Sequence, residues 1–332
     1  MAFIIAEVGQ AHEGSLGMAL SYIDALAETG VDAVKFQVHI AEAESSIHEP
    51  FRVKFSYQDS SRLEYWKRME FDKNEWLLLK NRCDEKGVEF LASPFSNAAV
   101  DLLEDIGVKR YKLGSGEVTN FLLLEKIART GKPVILSSGM SSYTELDDAT
   151  EFLKKRGVEY SLLQCTTAYP TRPENYGLNV IRELKDRYGV KIGFSDHSAK
   201  IETCLAARAL GAEILEFHSV FDRRSFGPDA ESSLEIDEVA QLVERIRNIE
   251  TAFRNPVDKS SNTVFGEVKS IFEKSLAVNK DLKKGHILAF EDLEGKKPKG
   301  YGIDAADFGQ VVGRELTRSV RKFDFLTKND IK

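Results

Sequence analysis

The sequence predicts an α/β fold, a TIM (β/α)8 barrel followed by a small β-rich domain. Three observations lead there. Short apolar, β-branched runs alternate with longer segments of 3.6-residue period. The alternation occurs eight times in about 250 residues, which suits a closed barrel. Beyond that the rhythm stops and short, turn-punctuated runs take over. A doubly wound open sheet is the competing arrangement.

In chain order, the expected strands are 2–9, 33–38, 89–95, 110–116, 133–139, 161–166, 191–196 and 214–219. Helical segments follow near 16–29, 73–86, 97–106, 120–130, 143–155, 176–187, 199–209 and 235–249. The expected domains are a barrel over 1–253, a polar, turn-rich linker over 254–270 and a β-rich domain over 271–332. At about 60 residues the last has little core of its own. One connection is unusual. Residues 39–72 are too long for a plain βα loop and mix aromatic with charged side chains. Such a segment is either a surface insertion or a functional lid.

Composition narrows the function. The chain has 332 residues and a formal net charge of −7, so broad nucleic-acid or anionic-membrane binding has no electrostatic support. No stretch approaches the 18 or so apolar residues of a membrane span. The opening is apolar but short and turns acidic at Glu7, unlike a signal peptide. Cys83, Cys165 and Cys204 are far apart and odd in number, as expected of reduced thiols in a cytoplasmic protein.

Barrel chemistry gathers at the C-terminal ends of the strands. Those ends carry Gln10, His12 and Glu13; Lys35 and Gln37; Ser93 and Ser96; and Lys112, Ser115 and Glu117. They continue with Ser137 and Ser138; Gln164, Thr166, Thr167 and Tyr169; Asp196 and His197; and Glu216 and His218. Buried lysines are costly unless paired. Lys35 and Lys112 therefore either pair with inward acids such as Glu7, Glu117 or Glu216, or bind an anion with Ser115, Ser138 and turn N–H groups. His197 and His218 end adjacent strands, about 4.8 Å apart in a parallel sheet. Two such imidazoles suit a divalent metal with open positions for water and substrate oxygens. His12 has no matching partner and reads as a residue that orients its turn.

The blocks "IAEVGQAHEGSLGMAL", "VKFQVHI", "FLASPFS", "YKLGSGEVTN", "PVILSSGMSS", "LLQCTTAYPT", "IGFSDHS" and "ILEFHSVFDRRSFGPDAESSL" stand in order on these strand ends. With "NKDLKKGHIL" and "KKPKGYGI" in the tail, the chain resembles the sialic acid (nonulosonic acid) synthase family over essentially its whole length. The resemblance implies a TIM barrel joined to an antifreeze-like (SAF, β-clip) domain. It implies a transferase that condenses phosphoenolpyruvate (PEP) with an open-chain N-acylated hexosamine, such as N-acetylmannosamine, and releases phosphate. It implies Glu13 as the catalytic acid/base. Lys35, Lys112, Ser115, Ser138, Thr167 and Tyr169 would form the PEP set, and Gln37, Asp229 and Lys297 the sugar contacts. It implies His197 and His218 as metal ligands, with manganese preferred over magnesium or cobalt, and a domain-swapped homodimer. The sequence departs from the family pattern at Ala11 and Thr167, where asparagine is usual, and at Lys297, where arginine is usual. Lysine lacks the planar fork of arginine.

Two other readings compete. One keeps the chemistry but uses a 2,4-diacetamido or phosphorylated hexose, as in legionaminate- or pseudaminate-type synthesis. Arg223, Arg224, Arg52 and Lys54 are then candidate contacts. The other is a non-catalytic carbohydrate-binding relative. A Schiff-base aldolase is disfavoured because "SLLQCT" contains no lysine.

Overall fold

The computed structural model describes every residue except Lys54 and Asn262. The chain divides into two compact units, Met1–Asn255 and Pro256–Lys332.

The first unit is the TIM barrel. Its strands are β1 (Phe3–Gly9), β2 (Ala33–Val38), β3 (Glu89–Pro94), β4 (Tyr111–Leu113), β5 (Val134–Ser137), β6 (Tyr160–Cys165), β7 (Ile192–Asp196) and β8 (Ile214–Val220). The ladders are parallel in the order β3-β2-β1-β8-β7-β6-β5-β4, and β3 lies beside β4, so the ring closes. The helices are α1 (Leu16–Glu28), α2 (Ala41–Glu44), α3 (Arg62–Met69), α4 (Lys73–Lys86) and α5 (Asn97–Ile106). They continue with α6 (Phe121–Ala128), α7 (Tyr143–Lys155), α8 (Val180–Tyr188), α9 (Ile201–Ala209) and α10 (Ile236–Arg254). A two-residue β9 (Leu234–Glu235) pairs in parallel with the end of β8.

Local signals set the helix ends. Asp72 and Glu75 form a capping box at the start of α4, and Gly87, at φ 75°, closes it. Ser142 and Glu145 do the same for α7. Each such cap is worth about 1 kcal/mol.

Strand alternation then sorts side chains into two layers. Ile4, Ala6, Val8, Val34, Phe36 and Val38 face outward into the large core under the helices. Ile5, Ala33, Leu91, Ile135, Leu163 and Ile214 face inward and plug the barrel floor. The floor is tight at Gly193, where a Cβ would stand 2.4 Å from both Ile214 O and Leu163 Cδ2. Two residues further along each strand, the same inward parity delivers Glu7, Lys35, Ser93, Ser137, Cys165 and Glu216.

Among its described residues, the 39–72 connection holds α2 and α3 and a satellite core of Ala41, Tyr65, Trp66 and Met69 against Phe51, Phe55 and Leu63. The second unit has its own small core, including Leu276, Val278, Leu288, Leu316 and Leu326. Within it, β10 (Ser275–Val278) pairs antiparallel to β11 (Leu293–Lys296). The stretch 254–270 holds the end of α10, a turn at Thr263–Phe265 and the start of α11 (Gly266–Phe272). Among the described residues no helix is long and apolar enough to cross a membrane.

Candidate functional site

A cavity of about 400 Å³ opens at the C-terminal ends of the strands. Of the residues picked out from the sequence, Gln10, Gln37, Arg52, Ser115, Glu117, Thr167, Tyr169, His218 and Asp229 line it directly. Lys35, Lys112, Ser138 and His197 are buried behind the lining.

Inward-pointing positions on β1, β2, β4 and β8 bring the charged groups together. Lys35 Nζ pairs with Glu7 and lies 3.6 Å from Glu216 Oε2. Lys112 Nζ lies 3.3 Å from Glu216 Oε1. Ser195 donates to Glu216 at 3.0 Å, and Lys35 donates to Ser93 at 3.3 Å. The lysines thus point into the barrel and are paired with Glu7 and Glu216, two of the acids the sequence offered. Burial pushes Lys112 down, opposed by Glu216. Burial would also lower Lys35, but the charges of Glu216 and Glu7 hold it raised. Burial would raise Glu216, yet Lys112 and Lys35 bring it down to about 2. Gln37 connects the cluster to the cavity by donating to Glu7 at 2.7 Å.

On the opposite wall the turn after β5 meets the turn after β4. The Gly139 N–H donates to Ser115 Oγ at 2.9 Å. A Cβ at Gly139 would stand 2.6 Å from Thr167 Oγ1, 2.8 Å from Ser115 Oγ and 3.0 Å from Cys165 Sγ. A glycine is needed for these groups to converge. Ser138 instead gives its hydroxyl to Leu163 O at 3.0 Å.

The imidazoles of His197 and His218 lie with centroids 5.3 Å apart, and Tyr169 packs 4.2 Å from His197. Burial and the neighbouring His218 hold His197 well below its ordinary pKa, hence neutral, the form that ligates metals. Its Nδ1 sits 3.2 Å from Thr166 O, a contact that leaves Nε2 to face elsewhere. Among the described residues no third His, Cys, Asp or Glu joins them as a metal cluster. The two imidazoles are the groups here that could hold a divalent ion, whose other positions would fall to water or substrate oxygens.

Glu13 stands apart from the cavity lining. It lies in a turn at φ 51°, and its carboxylate meets Arg68 Nη1 at 2.9 Å. Burial raises its pKa against the pull of Arg68. His12 orients this turn, as expected. Its Nδ1 accepts from the Gly14 N–H at 3.1 Å, and burial lowers its pKa to about 3. Lys297 belongs to the second unit, where its ammonium sits 4.4 Å over the Phe272 ring. Lys299 pairs with Glu273 and Asp304. Arg223 and Arg224 are taken up by Glu238 and Asp222. Lys54 lies outside the described residues.

Of the wall that 39–72 supplies, sequence reasoning named Arg52, which lines the cavity, but missed His39, Glu44, Glu49, Arg62 and Trp66, which line it too. His39 is stacked between Trp66, at 3.7 Å, and Phe95, at 4.5 Å. The available signal was the mixture of aromatic and charged residues in an overlong loop.

A closed parallel barrel with buried lysine–carboxylate pairs and two neighbouring histidines at the C-terminal ends of its strands defines a (β/α)8 protein with a polar, charged cavity. Within that class, the NeuB family profile matches residues 22–258, and the chain belongs to the NeuB family. It is 35% identical to the N,N'-diacetyllegionaminic acid synthase of Campylobacter jejuni, over 97% of this chain and 98% of that one. It is 34% identical to human N-acetylneuraminate-9-phosphate synthase, over 97% and 90%. Among solved structures, it resembles an N-acetylneuraminic acid synthetase from Leptospira borgpetersenii in complex with citrate. The TM-score is 0.70 at 36% identity, covering 80% of this chain and 90% of that one. The spore coat polysaccharide biosynthesis protein spsE of Bacillus subtilis matches with TM-score 0.67 at 28% identity, over 100% and 95%.

Proposed function

We propose that the chain is a nonulosonic acid synthase that condenses PEP with the open-chain aldehyde of an N-acylated hexosamine, giving a nine-carbon 2-keto acid and phosphate. The observation that carries this is the pair of buried lysines, Lys35 and Lys112, beside a cavity that also presents Ser115 and Thr167. Relatives named as synthases of legionaminic, pseudaminic and N-acetylneuraminic acid derivatives support the reading. So does citrate, a tricarboxylate, in the Leptospira protein.

Each group has a task in that chemistry. Lys35 and Lys112 offset the charge of PEP at low local dielectric. Ser115, whose Oγ accepts from the Gly139 N–H and so keeps its own proton to give, and Thr167 donate to its oxygens. The C3–C1 bond forms as PEP's C3 attacks the aldehyde carbon. Water then adds at C2, and phosphate leaves by cleavage of the C2–O bond. His197 and His218 would hold a divalent metal, manganese by preference, which polarises the aldehyde oxygen as a Lewis acid. Gln37, Tyr169 and Asp229 face the acceptor.

Two carboxylates compete for the acid/base role. Glu7 lies in the barrel, in contact with Lys35 and Gln37, and we assign the role to it. Glu13, held by Arg68, supports the turn. Replacing Glu7 by Gln should cut phosphate release about 100-fold or more, whereas Glu13→Gln should cost less than about 10-fold. The reverse order would return the role to Glu13. The decisive assay is phosphate release and product mass with PEP, manganese and a panel of 2-acetamido and 2,4-diacetamido hexoses. No release with any acceptor defeats the reading.

The tail we read as the antifreeze-like domain, and the active form as a homodimer in which that domain serves the partner's barrel. Lys297 would then stand near the acceptor. Sedimentation and a mixed-variant activity test decide it: pairing an inactive-barrel variant with a tail-deleted chain should restore activity.

A further inference from the structure

The mouth of the cavity carries a cation that the chemistry above leaves without a role. Arg52 comes from the segment between β2 and α3. Its Nη2 donates to Asp229 Oδ1 at 2.8 Å, and its guanidinium carbon lies 4.1 Å from the Tyr169 ring centroid. Tyr169 in turn packs on His197. One arginine thus ties the inserted segment, the turn after β6 and the turn after β8 together at the rim, over the two-histidine floor.

A guanidinium has five N–H donors in a planar fork. Among the described contacts Arg52 gives one of them to a side-chain partner, Asp229, while the residue lines the cavity. The stack on Tyr169 and the bond to Asp229 fix its plane, so the remaining donors are held in place for a ligand oxygen. The surroundings indicate the ligand's charge. Arg62, the other arginine in the lining, sits 4.0 Å over Trp66 with Glu49 3.5 Å away. Glu44, Glu49, Glu117 and Asp229 share the same lining. A second phosphate at this rim would meet four carboxylates. A neutral sugar would instead find acceptors for its hydroxyls and, in Arg52, a donor for a carbonyl. Phe95 and Met140, in the same lining, offer apolar contact to an acyl methyl.

We infer that Arg52 is an acceptor-specificity residue, whose guanidinium, held between Asp229 and Tyr169, donates to the acyl oxygen of an uncharged acylamino sugar. The inference rests on the synthase reading and deepens it by naming who reads the acyl group and what charge the acceptor carries.

The test is steady-state phosphate release by the full-length, manganese-loaded protein. Three acceptors are compared: a 2-acetamido hexose, the hexose with a plain hydroxyl at C2, and the 6-phosphorylated 2-acetamido hexose. Wild type should favour the first over the other two by about 100-fold in kcat/KM. Arg52→Ala should raise KM for the acetamido hexose about 10-fold or more and leave KM for PEP within twofold. Its preference for the acyl group should shrink by a similar factor. Arg52→Lys, which keeps charge but not the fork, should recover only part. Arg52→Gln and melting curves guard against misfolding, since a merely structural Arg52 would lower kcat or stability without touching the acyl preference. An unchanged acceptor KM in Arg52→Ala, a parallel rise in the PEP KM, or a preference for the phosphorylated sugar overturns the inference and leaves the synthase reading standing. Wild type that is inactive on every acceptor overturns both.

Discussion

At Gly139 the missing side chain is the functional group. Its N–H supports Ser115, and its bare Cα lets Thr167, Ser115 and Cys165 converge. Gly139→Ala forces a Cβ within 2.6 Å of Thr167 Oγ1. Overpacking of this kind costs about 1–3 kcal/mol, here concentrated on two candidate PEP ligands. The expected outcome is a PEP KM raised about 10-fold or more, with a melting point within a few degrees of wild type. A normal PEP KM would place the PEP oxygens elsewhere. Lys35 and Lys112 teach a related point. Each is affordable in the interior because Glu7 or Glu216 answers it, and removal of one partner leaves an uncompensated buried charge.

At the scale of elements, the 39–72 segment is more than a connection. α3 is held against the β1–α1 turn by Arg68, which bonds Asp59 through Nε and Nη2 and Glu13 through Nη1. The fit is close, since a Cβ on Gly14 would collide with Arg68 O at 2.2 Å. All three side chains are at least partly buried, so their pairing is worth on the order of 1 kcal/mol or somewhat more. Arg68→Ala should loosen the segment without unfolding the barrel. Limited proteolysis should then cut between 45 and 61 several-fold faster, and the acceptor KM should rise more than the PEP KM. Equal cutting rates would show that the Phe51, Phe55 and Tyr65 cluster holds the segment by itself.

At the scale of the whole molecule, each of the two units has its own core, and the second carries a strongly held carboxylate. In the second unit, burial alone would raise Asp292. Hydrogen bonds from Lys280, the Ala289 N–H and His286 outweigh it and hold the carboxyl at about 2. A folded pKa below the unfolded value means stability that is full above about pH 4 and is lost as pH falls through 2. Asp292→Asn should cost about 1–3 kcal/mol near neutrality. The gap between variant and wild type in thermal melting should close between pH 5 and pH 2. A gap that persists at pH 2 would mean that Asp292 acts through packing rather than charge.

The sequence alone determined the barrel, because alternation and period are properties of single strands and helices. The expected helices 73–86, 97–106 and 143–155 match α4, α5 and α7 residue for residue, and all eight strands lie where the apolar runs put them. It also determined which strand ends are polar, since inward parity is counted along one strand. Only the tertiary structure decided partnership. That Lys35 answers Glu7, that Glu13 turns away to Arg68, and that Arg52 reaches across to Asp229 and Tyr169 are contacts between residues 28, 55 and 177 or fewer positions apart. Periodicity carries no information at such separations. They are set by barrel closure and by the packing of one inserted segment, where sterics and charge choose a partner that no local pattern announces.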